Sequence, residues 1–95
     1  MATRPDPIET AEFIQLVADA LINLTSGEEL VLYSYIGRYT VTRGPGGFEL
    51  YTAIGRTGHL HYRHITEVTL CNDLTITFGS GPHTDPITDM EVITA

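Results

Sequence analysis

The segment that decides the fold is residues 28–41, EELVLYSYIGRYTV, where the hydrophobic period changes from that of a helix to two. From Leu30 onward, successive residues alternate, with Leu32 on the side of Leu30 and Tyr33 on the side of Val31. This alternation is typical of a β-strand, whose successive side chains point to opposite faces of a sheet. The segment therefore predicts where the sheet begins, and it places large side chains on both faces.

Upstream of this segment, residues 7–25 predict an amphipathic helix. Pro7 suits the first helical position, and Gly27 suits the left-handed conformation that commonly closes a helix. At about 100° per residue, the apolar side chains fall on one broad face and polar side chains fall opposite. The apolar face consists of Phe13, Ile14, Leu16, Val17, Ala20, Leu21 and Leu24. Such a stripe is typical of a helix laid on a sheet, and residues 1–6 before it are predicted to be flexible.

Downstream, residues 28–94 predict an antiparallel sheet. Gly37 indicates either a bend in one long strand or a division into two strands, and turns rich in glycine and proline follow it. Asn72-Asp73 predicts a tight hairpin turn, and residues 87–94 predict a last edge strand.

Together these elements predict one domain over residues 1–95, of the α+β class. Its single N-terminal amphipathic helix packs on an antiparallel meander of about five or six strands. Because one helix covers only one face of such a sheet, the other face is left for a partner. The alternative is a half-barrel, in which the sheet curls and buries both of its faces.

A second fold alternative comes from two later segments, residues 62–68 (YRHITEV) and 74–81 (LTITFGSG). They resemble the later strands of bacterial PH-like domains, over about a fifth of the chain. The resemblance implies a PH-like β fold that closes with a C-terminal helix, and we take no function from it.

The charge is distributed unevenly along the chain. The net charge is −7, yet residues 30–64 hold four arginines against one glutamate. Residues 1–29 hold six acids against one arginine, and residues 65–95 hold five acids and no base. An acidic protein is a poor binder of nucleic acid. The composition therefore favours a protein partner with a basic surface.

The compartment is predicted from cysteine usage and hydropathy. Cys71 is the only cysteine, so no disulfide forms within the chain. No apolar run approaches the ~20 residues of a membrane helix. We therefore expect a cytoplasmic protein that does not enter a membrane.

Three of the four histidines fall in residues 58–64, GHLHYRH. On a strand, His59 and His61 share one face with their Cβ atoms ~7 Å apart, a spacing that suits one divalent metal ion. His64, His83, Asp85 or Cys71 could supply a third ligand, and His64 is the one assigned to the predicted site. This pattern predicts, as one hypothesis, a metal-binding protein or a small metal-dependent enzyme.

The same stretch also belongs to a predicted binding surface of tyrosine, arginine and histidine side chains. Tyrosine and arginine are enriched at protein interfaces, and an Arg/His face can also bind a nucleotide or a phosphate ligand. The predicted surface consists of Tyr33, Tyr35, Tyr51, Arg56, His59, His61 and Arg63.

No combination of nucleophile, base and orienting residue is visible, so enzymatic activity is left open and a non-enzymatic protein is favoured. The leading hypothesis is a small acidic protein-binding module that self-associates through its sheet. It would occupy a basic surface of its partner, as phage-encoded inhibitors and adaptors do. This last step is an analogy from size and charge.

Overall fold

The computed structural model describes residues 7–55, 58–79 and 83–94. The flexible segment predicted for residues 1–6 lies outside them. The elements are α1 (Pro7–Asn23), β1 (Glu29–Ser34), β2 (Gly37–Gly44), β3 (Gly47–Ile54), β4 (Gly58–Ile65), β5 (Val68–Leu70), β6 (Ile76–Phe78) and β7 (Ile87–Ile93).

The main sheet has five strands in the order β4-β3-β2-β1-β7, and every neighbouring pair is antiparallel. Strands β1 to β4 form a meander, and β7 returns to pair with β1. Strands β5 and β6 form a separate two-stranded sheet. The predicted α+β class, with one N-terminal helix on an antiparallel meander, is confirmed.

Gly37 divides the fold-deciding segment into two strands. The chain bends at residues 35–36, and β2 returns beside β1 with Arg38 opposite Tyr33. A Cβ atom on Gly37 would lie 2.2 Å from the carbonyl oxygen of Ala53. Only glycine allows this close approach of β3, so the division into two strands is built into the sequence at this position.

The helix and the small sheet both pack on one face of the main sheet. Phe13 and Val17 of α1 line a common gap with Leu70 and Ile76 of the small sheet. A single buried cluster joins these layers through twelve residues: Val17, Leu21, Leu24, Leu30, Leu32, Tyr39, Val41, Leu50, Ile65, Ile76, Phe78 and Ile87. Burial of this apolar surface is the main favourable term in the stability of the fold.

Arg43 binds the C-terminal end of α1 to the main sheet. Its Nε donates a hydrogen bond to the Leu24 carbonyl at 3.1 Å, and its Nη2 donates to the Leu21 carbonyl at 3.1 Å and the Ile22 carbonyl at 3.4 Å. The last carbonyls of a helix have no partner within the helix and carry the negative end of its dipole. The guanidinium also lies 4.4 Å from the ring centroid of Phe48. A sheet residue therefore caps the helix and positions it.

The helix ends at Asn23, two residues earlier than the pattern predicts. Leu24 N–H donates to the Leu21 carbonyl, and Gly27 has the predicted positive φ, at 97°. The Thr25 hydroxyl and N–H donate to the Glu28 carboxylate and lower the pKa of Glu28 below its ordinary value. Within the predicted apolar stripe, Leu16 is 55% exposed. It lies at the edge of the stripe, beyond the surface that the sheets cover.

Tyr39 joins the loop before β7 to the core. Its hydroxyl donates to Asp85 Oδ2 and accepts from the Asp85 N–H, both at 3.3 Å. Burial raises the pKa of Tyr39 above its ordinary value, and the negative charge of Asp85 adds to the effect. This contact fixes where the chain turns to enter β7.

The predicted turn at Asn72-Asp73 connects β5 to β6. Cys71 N–H donates to the Thr75 carbonyl, and Leu74 takes a φ of 68°. The Asp73 carboxylate accepts from the Thr75 hydroxyl at 2.5 Å and from the Thr75 N–H at 3.1 Å. The carboxylate therefore closes the turn. Among the residues that the structure describes, no helix is long and apolar enough to cross a membrane.

Replacing Arg43 should loosen the end of the helix. We expect Arg43→Met to lower the free energy of unfolding by about 2 kcal/mol, because three helix carbonyls lose a charged donor while the aliphatic contact with Phe48 remains. Urea denaturation at low protein concentration measures this loss. Arg38→Met is the matched control and should change stability by less than about 0.5 kcal/mol, since Arg38 is exposed. Equal losses for both variants would contradict the capping role.

Replacing Asp73 should change the pH dependence of stability. The two hydrogen bonds from Thr75 lower the pKa of Asp73 below its ordinary 3.8. A lowered pKa stabilises the folded state above the pKa of the unfolded carboxyl, and this contribution is lost as the pH falls through the folded-state value. Wild type should therefore be more stable than Asp73→Asn near neutral pH, and the difference should shrink below pH 3.8.

Urea unfolding over a pH series measures this difference. In a Thr75→Val background the effect of Asp73→Asn should be smaller, because the hydroxyl donor is gone. A difference that stays constant across the series would show that the carboxylate does not act through its ionised form.

Candidate functional site

The face of the main sheet opposite α1 carries most of the predicted binding surface. We call it the open face. Alternation from the buried Leu30 and Leu32 assigns Val31 and Tyr33 to it, and the strand register extends the assignment across the sheet. Its two central rows, from β7 to β4, are Glu91-Val31-Thr40-Tyr51-His61 and Asp89-Tyr33-Arg38-Ala53-His59.

The open face is concave. A depression of about 340 Å³ lies at its centre, lined by Glu29, Val31, Arg38, Thr40, Tyr51 and Ile93. Val31 is only 4% exposed in it, whereas Tyr51 and Ile93 are 41% and 42% exposed. Apolar side chains are therefore exposed around this depression.

His61 belongs to a cluster with Tyr51, Glu49 and Arg63. Its ring stacks on Tyr51 with centroids 4.1 Å apart and planes inclined by 12°. His61 Nε2 lies 3.2 Å from Glu49 Oε1, and Arg63 Nε lies 3.5 Å from His61 Nδ1 and 3.7 Å from Glu49 Oε1. A carboxylate accepts and a guanidinium donates, so the neutral ring carries its proton on Nε2. Both ring nitrogens are thus engaged within the chain.

Glu49 is the member of this cluster that the sequence analysis did not assign to a site. Because Glu49 alternates with Leu50, it lies on the same face as Tyr51. No local sequence pattern indicates that β4 places His61 and Arg63 beside it. That proximity depends on the pairing of β3 with β4. The carboxylate offsets the charge of Arg63, so the predicted Arg/His surface is less basic than its composition indicates.

His64 differs from the other predicted metal ligands in its backbone conformation. Between Phe48 and Leu50 the pairing with β4 shifts from Ile65 to Tyr62, which is a β-bulge, and His64 takes a φ of 60° within it. A positive φ is uncommon for a residue other than glycine and re-aims the side chain relative to a regular strand. The bulge also brings Ile65 into the core.

The metal hypothesis receives no support from the geometry of the described residues, where no group of three or more His, Cys, Asp or Glu side chains is arranged to hold an ion. His59 and His61 do share the open face, as predicted from their spacing. The binding of a divalent metal stays a prediction. Arg56 of the predicted phosphate-binding surface lies outside the described residues.

The other face of β4 is only partly covered. Tyr62 packs against the core. Leu60 shares that face but is 54% exposed. It lies on an edge strand, at a position that the helix and the small sheet do not cover.

Tyr35 lies away from the open face, in a separate groove at the N-terminal half of α1. Its side chain is 88% exposed because it stands on the bend between β1 and β2. The groove has a volume of about 460 Å³ and is lined by Glu9, Thr10, Phe13, Tyr35, Asp73, Leu74, Pro86, Ile87 and Thr88. Two carboxylates, Glu9 and Asp73, line this groove, and among the residues that the structure describes no arginine or histidine lines it. We call it the acidic groove.

Comparison of the chain with protein-family models, with curated proteins and with solved structures found no match.

The tautomer of His61 tests the geometry of its cluster. We expect a two-bond ¹⁵N–¹H correlation spectrum of the neutral ring to show the proton on Nε2, because Nδ1 accepts from Arg63. Glu49→Leu should weaken this preference, since it removes the acceptor at Nε2. A wild-type spectrum with the proton on Nδ1 would contradict the arrangement.

Proposed function

We propose that this chain is a small, acidic, non-enzymatic protein-binding module that acts as an inhibitor or adaptor. In this proposal it binds a basic segment of a partner protein in the acidic groove and self-associates through the open face of its sheet. The observation that carries the proposal is the acidic groove, where an almost fully exposed tyrosine stands beside two carboxylates and a partly apolar floor.

The chemistry of the acidic groove suits arginine or lysine side chains. The exposed ring of Tyr35 offers a face for a cation, and Glu9 and Asp73 offer carboxylates for ion pairs. Phe13 and Leu74 add apolar surface for the aliphatic part of a long basic side chain. This combination of one aromatic anchor with acidic neighbours is typical of a surface that recognises a basic partner.

Carboxylates outside the acidic groove add to the negative charge of the chain. Glu12 and Asp19 are exposed on α1, and the chain as a whole has a net charge of −7. A field of this sign attracts a basic protein and repels nucleic acid. It therefore supports a protein as the partner.

Self-association is supported by the open face. Tyr51 and Ile93 expose apolar surface in a concave depression whose floor, Val31, is buried without cover from the helix. A concave face with exposed aromatic and aliphatic side chains is typical of an interface.

A pull-down with variants of the acidic groove tests partner binding. The immobilised protein is exposed to lysate of its source cells, and retained proteins are identified by mass spectrometry over a salt gradient. We expect a basic protein that elutes as salt rises, because screening weakens the ion pairs. Glu9→Lys and Tyr35→Ala should each reduce its retention at least about fivefold, which corresponds to about 1 kcal/mol.

Glu67→Lys is the matched control, since Glu67 is exposed and lies outside the acidic groove. It should retain the partner as wild type does. Equal retention by all variants, or nothing retained above an unrelated acidic protein, would reject the proposed partner site.

A further inference from the structure

We infer that the open face binds the open face of a second copy of this chain, around a two-fold axis that runs parallel to β2. The two sheets then form a closed β-sandwich dimer. This inference rests on the self-association within the proposed function and specifies its geometry. It involves the open face only and leaves the acidic groove free on each copy.

The order of the strands limits the possible two-fold arrangements. In the order β4-β3-β2-β1-β7, β2 is central and β4 and β7 are the two edges. A two-fold axis along β2 places each edge strand over the opposite edge strand of the second copy. β4 of each copy therefore faces β7 of the other. An axis across the strands instead places β4 over β4 and β7 over β7. Electrostatics decides between these two.

The edge strands carry different charges on the open face. β7 presents the carboxylates of Asp89 and Glu91, and both side chains are exposed. β4 presents His59 and Arg63, and Arg63 keeps 66% of its side chain exposed beside Glu49. An axis along β2 brings carboxylates to a guanidinium and an imidazole. An axis across the strands brings Asp89 and Glu91 against their own copies, which is repulsive.

The apolar centre of the open face is self-complementary about the same axis. In the row Glu91-Val31-Thr40-Tyr51-His61, the axis passes near Thr40, so Val31 of each copy faces Tyr51 of the other. Packed sheets stand about 10 Å apart, a gap that side chains from both faces fill together. The exposed ring of Tyr51 is long enough to enter the depression above Val31 of the second copy.

Two contacts oppose this arrangement. Arg38 on β2 faces its own copy, and Glu29 faces Glu49 across the interface. The repulsion between Glu29 and Glu49 is reduced, because His61 and Arg63 already lie beside the Glu49 carboxylate. Five strands about 4.8 Å apart make the face about 24 Å wide, and strands of 6 to 8 residues at about 3.3 Å each give it a similar length. Two such faces together bury on the order of 1,000 Å². We therefore expect a weak, reversible dimer.

The edges themselves are poorly suited to pairing by strand addition. The Met90 N–H on β7 donates to the carboxylate of Asp89 at 2.8 Å, which occupies a backbone donor on that strand. On β4 the bulge at His64 interrupts the regular ladder. Bulges and charged residues are common protections against edge-to-edge association. The faces are therefore favoured over the edges.

Charge reversal at the two edges tests the geometry. Sedimentation equilibrium of the full chain, from about 10 µM to about 1 mM, measures the dimer dissociation constant. Glu91→Arg should raise this constant at least about tenfold, because it places a cation opposite His61 of the second copy, whose ring lies 3.5 Å from the Arg63 guanidinium. Arg63→Glu should weaken the dimer likewise. The double variant restores opposite charges at both contacts and should return to within about threefold of wild type.

Glu67→Arg is the matched control. It changes the net charge from −7 to −5, as Glu91→Arg does, but lies away from the open face. Both variants reduce the general repulsion between two acidic chains by the same amount. If Glu91→Arg weakens the dimer and Glu67→Arg does not, the effect comes from a local contact of Glu91. Asp89→Arg with His59→Glu provides a second pair, remote from Glu49, and circular dichroism verifies that each variant is folded.

The possible outcomes test the self-association and its geometry separately. A wild-type chain that stays monomeric at the highest concentration overturns this inference and the self-association, while binding in the acidic groove is decided by its own pull-down. A dimer that is insensitive to both edge reversals, or not restored by either double variant, overturns the geometry alone. Assemblies larger than a dimer also overturn it, because a two-fold interface closes.

Discussion

The architecture depends on the attachment of α1 to one side of the main sheet, and Arg43 is the residue that makes this attachment directional. Apolar burial alone allows a helix to slide over a sheet, because the hydrophobic effect has no direction. Hydrogen bonds from one guanidinium to the Leu21 and Leu24 carbonyls fix the end of the helix above β2. Since the small sheet packs on the same side, the opposite side is left as the open face.

The element types and their order could be predicted from the sequence, because hydrophobic period and turn residues are local signals. The long apolar stripe of α1 and the glycines at the ends of strands are examples. The limits of local signals show at Leu16 and Leu60, which carry the correct period but lie beyond the covered surface. Period reveals which face a residue occupies, and only the extent of the opposite layer determines whether that face is buried.

The candidate site was less predictable, because its chemistry depends on cross-strand register. Arginine content made residues 30–64 look basic, yet Arg43 caps the helix and Arg63 lies beside Glu49. Likewise, the three predicted metal ligands are close in sequence, but the bulge gives His64 a different backbone conformation. Tyr35 illustrates the same limit, since the bend before Gly37 moves it from the open face to the acidic groove. None of these outcomes has a signature within a few residues.

The two surfaces have different physical requirements, and this difference explains why one chain can carry both. The acidic groove needs a charge field of one sign, which the net charge of −7 supplies and which acts at long range. The open face needs opposite charges at its two edges, which act only over the distance of a contact. A dimer through the open face would double the acidic grooves without covering either one. Two linked grooves bind a partner with repeated basic segments more tightly than one groove does, because the second contact becomes intramolecular. Self-association and partner binding would therefore reinforce each other without any contact between the two surfaces.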